Sequence, residues 1–221
     1  MKYLIQQHKF YLIPYVIILI AGIVIVSQIE KGDVLFYFAD NRTTFLNTFF
    51  IFATKLGEIA GYLLFIVIFL FIRFRYSILI AFTAASAGIV AAILKNLFRH
   101  PRPKPYFGKL GIDISDIAVA GQPLLNSQIS SFPSGHTISA FAFFTVLALL
   151  TKNNFVKLTC LLLAIFVGLS RIYLVHHFLE DVLLGSFIGV LIGFLLHYIN
   201  NKIPITDNKW YNRKIKLSIS P

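Results

Sequence analysis

The stretch Phe10–Ile29 reads FYLIPYVIILIAGIVIVSQI, 20 residues without a single charge. A helix of roughly 20 apolar residues crosses the hydrocarbon of a bilayer. The run is too long for a signal-peptide core and has no clear small-residue cleavage site, so it reads as a membrane span. Pro14 near its start is expected in the first turn, where a missing N–H costs little. Working outward, five further apolar runs follow at about 52–72, 76–94, 137–150, 155–169 and 182–199. The start of the second is blurred by Lys55 and Glu58, and Asp40–Phe50 is expected at the interface as an amphipathic turn. The expected architecture is all-α: a polytopic bundle of six transmembrane helices forming one domain over residues 1–221.

Composition agrees. The chain is 57% hydrophobic and 13% charged, with mean hydropathy +0.79, against about 25% charged in an average soluble domain. Its net charge of +11 lies between apolar runs and not along a polar stripe, which argues against nucleic acid as a partner. Cys160, the one cysteine, sits in an apolar run and reads as a small hydrophobe, so neither a disulfide framework nor a cysteine metal site is expected. There is no internal repeat.

Basic residues set the orientation. With both termini inside, the cytoplasmic face carries Lys2, Lys9, Arg73, Arg75, Lys152, Lys157, Lys202, Lys209, Arg213, Lys214 and Lys216. Those eleven face one acid, Asp207, for a balance of +10, whereas the other face carries nine basic and eight acidic residues, +1. The polar segment 95–136 is therefore expected outside, and the basic tail 200–221 inside, with Trp210 and Tyr211 at the interface.

Three polar clusters fall at the outward ends of the apolar runs. Lys95 is followed after six residues by Arg102-Pro103. Then comes Pro133-Ser134-Gly135-His136. Last are Ser170-Arg171, five residues, His177, three residues and Asp181. A phosphoryl group in flight spreads charge over three equatorial oxygens, and catalysing its transfer is mostly positioning and charge stabilisation. Lys95, Arg102 and Arg171 supply three cations, Arg as a planar fork and Lys as a point charge. Ser134 adds a hydroxyl, Gly135 a close backbone approach, and a helix start at this point free N–H groups. His177 and Asp181, four apart, share one helical face. The carboxylate can fix the imidazole tautomer and leave the other nitrogen free to attack phosphorus. His136 can protonate the leaving alkoxide and then activate water.

This arrangement resembles the type-2 phosphatidic acid phosphatase superfamily, which also includes the vanadium haloperoxidases. All three motifs match, in order, over Lys95–Asp181. The resemblance implies a lipid phosphate or pyrophosphate phosphatase with six helices and no metal or other cofactor. It implies phosphate binding by Lys95, Arg102, Arg171, Ser134 and Gly135. It implies His136 as general acid, His177 as the nucleophile that forms a phosphohistidine, and Asp181 as its partner. Its substrates include undecaprenyl pyrophosphate, phosphatidylglycerol phosphate, phosphatidic acid and lipid A phosphates. The short, single-domain chain points to a bacterial inner membrane, with the site facing the periplasm.

Plainer readings exist for each residue. Lys95 and Arg102 resemble interfacial anchors, Asp181 a helix N-cap, and Pro133-Ser134 a helix start. Arg99, His100, Lys104 and Lys109 read as solvated loop charge; His176 and Glu180 neighbour the third motif without matching it. Lys55 and Glu58 are either an intrahelical pair or functional. Two rivals keep the same cluster. In one, His136, His177, Asp181 and Glu180 hold a metal that activates water. In the other, a transporter or lipid-binding protein uses the cationic pocket only to hold a head group.

Overall fold

A computed structural model describes residues 2–125, 130–204 and 210–215, with side chains from Gln6 onward. Long apolar stretches have no water to satisfy their backbone, and helices solve that internally. The described residues are accordingly helical, without strands. In chain order the helices are α1 (Lys2–Gln28), α2 (Asp33–Asp40), α3 (Thr44–Lys55), α4 (Ile59–Leu70), α5 (Phe74–Phe98), α6 (Pro103–Lys109), α7 (Gly135–Leu150), α8 (Asn154–Tyr173) and α9 (Leu179–Lys202). Short 3₁₀ turns lie at Ser115–Ile117 and Trp210–Asn212. Four helices, α1, α5, α8 and α9, are long and apolar enough to cross a membrane. The bent pair α3–α4 makes a fifth if counted as one span, and α7 is apolar but shorter. The chain is an integral membrane protein.

Several expectations are corrected here. The run 52–72 is not one straight helix: the chain breaks after Lys55 and bends by 57° before α4. Asp40–Phe50 is no marginal turn, because α2 ends at Asp40 and most of the stretch belongs to α3. Thr43 caps α3, its hydroxyl accepting from the Leu46 N–H at 3.2 Å. α1 starts at Lys2, so Pro14 lies inside it, and the backbone leaves helical values at His8 (φ −116°, ψ 16°). Segment 95–136 is not all loop, since Lys95 is in the last turn of α5 and α6 follows Arg102. Residues 126–129 of that segment, and Asp207, Lys209 and Lys216 of the tail, lie outside the described residues.

α7 is the hub, packed against α5, α8 and α9 and buried along most of its length. Its approach to α9 depends on Gly185, Gly189 and Gly193, one turn apart. A Cβ at Gly189 would sit 2.6 Å from the Ile138 carbonyl, and one at Gly193 2.7 Å from Thr145 Cβ. Small residues at such spacing let membrane helices pack backbone to backbone. That contact fixes the register of the two helix starts: the Ser134 N–H donates to the Asp181 carbonyl at 3.0 Å. α1 lies outside, presenting Ile13, Ile17 and Ile20 to the surroundings and holding α7 by Tyr11, whose hydroxyl meets Thr145 Oγ1 at 2.6 Å.

Candidate active site

The end of α5, the start of α7, the end of α8 and the start of α9 meet at one end of the bundle. α8 ends at Tyr173, and a tight turn leads through Val175 (φ 58°) to His176 and His177. Main-chain bonds from the His176 and His177 N–H groups to the Arg171 carbonyl (3.0 and 3.1 Å) lock that turn. His177 is therefore not on one helix with Asp181: it precedes α9, and Asp181 stands in its first turn. The pair still meets, Nδ1 to Oδ2 at 3.2 Å, with both side chains buried.

Asp181 is not the N-cap residue. Phe178 occupies that position, and its N–H donates to Asp181 Oδ2 at 2.9 Å. The same oxygen accepts a short hydrogen bond from Ser131 Oγ, which also lies 3.2 Å from His177 Nδ1. A carboxylate so held accepts a hydrogen bond from Nδ1–H, keeping the ring proton there and leaving the Nε2 lone pair unprotonated. Arg102 Nη1 lies 3.4 Å from that Nε2 and donates to the His176 carbonyl at 3.0 Å.

Arg171 and Lys95 also lie close enough to act on this imidazole, and none of the three cations forms a salt bridge with a carboxylate of the described residues. Arg171, buried, donates from Nη1 to Thr54 Oγ1 at 2.5 Å. The Nε groups of Arg102 and Arg171 are buried and have no hydrogen-bond partner. Unpaired buried guanidinium donors are costly unless an anion completes them. Lys95 Nζ lies 3.5 Å from where a Cβ on Gly135 would stand, so the glycine keeps the space between Lys95 and the start of α7 open. The first N–H groups of α7, with the positive end of its dipole, lie beside this space. Ser134 is fully buried, and its Oγ accepts from Thr137 Oγ1 at 2.9 Å.

Burial, then Arg171, Arg102 and Lys95, hold the His177 imidazole well below its ordinary pKa. His176, buried beside Arg171, is pushed down to about 4. A lowered value means that the proton leaves at lower pH, so the neutral, nucleophilic form persists into acid. In the substrate-free protein, ¹⁵N shifts of His177 are expected to report a neutral ring with a bare Nε2 at pH 6. An imidazolium at that pH would contradict the assignment.

Four site residues escape the motifs. Thr54 supports Arg171, and Glu58, at the start of α4, brings Oε1 to 3.9 Å from His136 Nε2. Glu58 does not pair with Lys55, whose ammonium lies over the Phe52 ring instead. Ser131 and His176 are the others. His100 is not mere solvated charge: its carbonyl accepts from the Ser131 N–H at 2.7 Å, and its ring stacks on Phe132. Glu180 turns away to pair with Lys31 at 2.7 Å. Among the described residues no three His, Cys, Asp or Glu side chains gather at metal-ligand spacing.

Residues 76–204 match the family model of the PAP2 superfamily. The chain belongs to that superfamily. Among its PAP2 relatives, phosphatidylglycerophosphatase B of Bacillus subtilis (strain 168) is 37% identical over 90 residues, covering 37% of this chain and 44% of that protein. The undecaprenyl-diphosphatase BcrC of the same organism is 28% identical over 158 residues, covering 70% and 75%. The match spans less than half the length of several curated relatives. The crystal structure of a transmembrane PAP2 type phosphatidylglycerolphosphate phosphatase from Bacillus subtilis superposes with a TM-score of 0.62. It shares 24% identity and covers 92% of this chain and 98% of that one, which establishes a common membrane fold.

Proposed function

We propose that this protein is a metal-independent phosphatase that removes the terminal phosphate of a membrane lipid through a phosphohistidine on His177. The observation that carries this reading is the group of cations beside His177, Arg102 at 3.4 Å from Nε2 with Arg171 and Lys95 near it, none in a salt bridge with a carboxylate, and Nδ1 held by Asp181. Lys95, the two arginines, the Ser134 hydroxyl and the N–H groups of Gly135 and His136 cradle the phosphate oxygens. His177 Nε2 attacks phosphorus, the bond to the lipid oxygen breaks, and protonated His136 gives its proton to that oxygen. Asp181 stabilises the positive imidazole. Neutral His136 then takes a proton from water, which attacks phosphorus, breaks the P–N bond and releases phosphate. The relatives' names point to a phosphatidylglycerol phosphate or an undecaprenyl diphosphate as substrate.

The test is phosphate release from a panel of those lipids, phosphatidic acid and lipid A, by detergent-purified protein with chelator present. Release from one of them supports the reading. Release that vanishes in chelator and returns with a divalent metal overturns the mechanism, and no release from any lipid favours a head-group carrier. A bacterial inner membrane with the site toward the periplasm is the orientation that the basic residues favour. A reporter joined at Lys104 is expected outside the cytoplasm, and a cytoplasmic reporter inverts the topology.

Glu58 lies 3.9 Å from His136, where its charge favours the protonated ring against the burial and the cations that push that imidazole down to about 3. Glu58→Gln is expected to slow hydrolysis of an alkyl phosphate roughly ten- to a hundredfold in kcat, within the range for general acid catalysis. p-Nitrophenyl phosphate, whose leaving group needs little proton, should be nearly unaffected. Equal losses on both substrates would make Glu58 merely structural.

A further inference from the structure

The end of the bundle opposite the site carries Lys9, Arg73, Arg75, Lys152, Lys157, Lys202, Arg213 and Lys214. All eight carboxylates of the described residues lie at the other end, on or beside the helix starts and loops that build the site. Two of these cations are deeply buried: Arg75 is 5% exposed and Lys157 1%. Lys157 Nζ donates to the Gln7 carbonyl at 2.6 Å and has no anionic partner.

Arg75 caps the end of α9. Its Nε donates to Asn200 Oδ1 at 3.2 Å, and Nη2 to the Asn200 and Ile203 carbonyls. Capping uses only those two nitrogens, and Nη1 is buried with no partner. Nearby, His197 Nε2 faces Asn201 Nδ2 at 2.9 Å. An amide nitrogen only donates, so Nε2 accepts and the ring proton sits on Nδ1. That Nδ1 is also buried and unpartnered, as is Nδ1 of His8, whose ring stands edge-on to His197 at 6.2 Å.

Arg75 borders two adjoining cavities, and His197 one of them. One, of about 290 Å³, has a mainly polar lining that includes Gln7, Arg75, Tyr76, His197, Asn200 and Asn201. The other, of about 480 Å³, is an apolar groove walled by Ile78, Phe82, Leu196, Ile199, Trp210 and Tyr211. Arg75, Asn200 and Ile203 line both. A polar, cationic niche joined to an apolar groove has the chemistry of an amphiphile: an anionic head and a hydrocarbon tail. A free anion would leave the groove empty, and a neutral lipid would leave Arg75 unmatched. Trp210, 63% exposed at the groove mouth, suits the membrane interface.

We propose that this end of the bundle holds an anionic phospholipid of the surrounding bilayer, its phosphodiester in the niche beside Arg75 and His197 and one acyl chain in the groove. The site is separate from the phosphate-releasing end and does not depend on what that end hydrolyses.

The test is lipid retention by the full-length protein from mixed vesicles of phosphatidylglycerol and phosphatidylcholine, read by native mass spectrometry after detergent extraction. The wild type is expected to keep phosphatidylglycerol over phosphatidylcholine by roughly fivefold, the factor for one cation, Arg75, near a lipid phosphate. Two variants at exposed positions locate the site. Asn201→Asp puts a negative charge in the niche and should abolish the preference; Ile199→Trp fills the groove and should cut retention of both lipids. Thermal unfolding in phosphatidylcholine checks that each variant folds, and either one that folds decides. Equal retention of the two lipids by the wild type would overturn the proposal, as would a folded variant that keeps phosphatidylglycerol unchanged. So would release of bound phosphatidylglycerol by millimolar inorganic phosphate, which would mark a site for free anions.

Discussion

His177→Ala is expected to lower phosphate release by roughly four orders of magnitude or more, the scale seen when a covalent nucleophile is removed. Nε2 is the atom that would form the bond to phosphorus, and no neighbour can replace it. His176, the adjacent imidazole, hangs on the same turn, but it is buried against the Pro123 backbone and no carboxylate fixes its tautomer. The variant should still insert and fold, because the turn is tied by main-chain bonds to the Arg171 carbonyl and not by the ring. Two further readouts separate a nucleophile from a mere phosphate-binding group. Wild type quenched in turnover should carry an acid-labile, base-stable phosphoryl group that His177→Ala lacks. Adding Asp181→Asn to His177→Ala should cost almost nothing more, because residues that act as a unit fail together. A labelled His177→Ala protein, or turnover within tenfold of wild type, would move the nucleophile elsewhere.

How much of this was legible depended on where each residue sits in the chain. Lys95, Arg102, Ser134, Gly135, His136, Arg171, His177 and Asp181 fall in three short motifs at helix ends, where type and spacing announce themselves. Thr54 and Glu58 belong to a different element. Hydropathy sees 52–72 as one span because most of its residues are apolar, yet Lys55, Gly57 and Glu58 mark the place where it breaks. What the break achieves is a long-range matter. A Cβ on Gly57 would meet Val167 Cγ1 at 2.8 Å and the His136 carbonyl at 3.1 Å. That close approach puts Thr54 under Arg171 and Glu58 beside His136, and no local periodicity encodes it. Ser131 was hidden for another reason. It lies in an aperiodic loop, and its role comes from a hydrogen bond across 50 residues to Asp181. The glycines of α9 were visible in the sequence, but their partner helix was not. Helix-start signals favour a proline in the first turn, but the chain continues α1 back to Lys2 and leaves Pro14 inside it.

Arg171→Lys keeps the charge and loses the fork, and kcat/KM should fall about a hundred- to a thousandfold, as when one preorganised donor to a reacting group is removed. Arg171 would do two things with one planar group: Nη1 holds Thr54 at the α3–α4 break, and the buried, unpartnered Nε would serve an oxygen of the phosphate. A lysine ammonium is a single point on a flexible stem and cannot keep both contacts. If it stays with Thr54, the phosphate loses a donor; if it turns to the phosphate, the Thr54 hydroxyl is stranded in a buried site. The loss should fall mainly on kcat, because Lys95, Arg102 and the start of α7 still attract the ground-state anion. Arg171→Ala should be worse and should also raise KM, since a third of the attracting charge is gone. Near-wild-type turnover in Arg171→Lys would mean that Arg171 acts only through its field, and that the equatorial oxygens are gripped by Arg102 and the helix start alone.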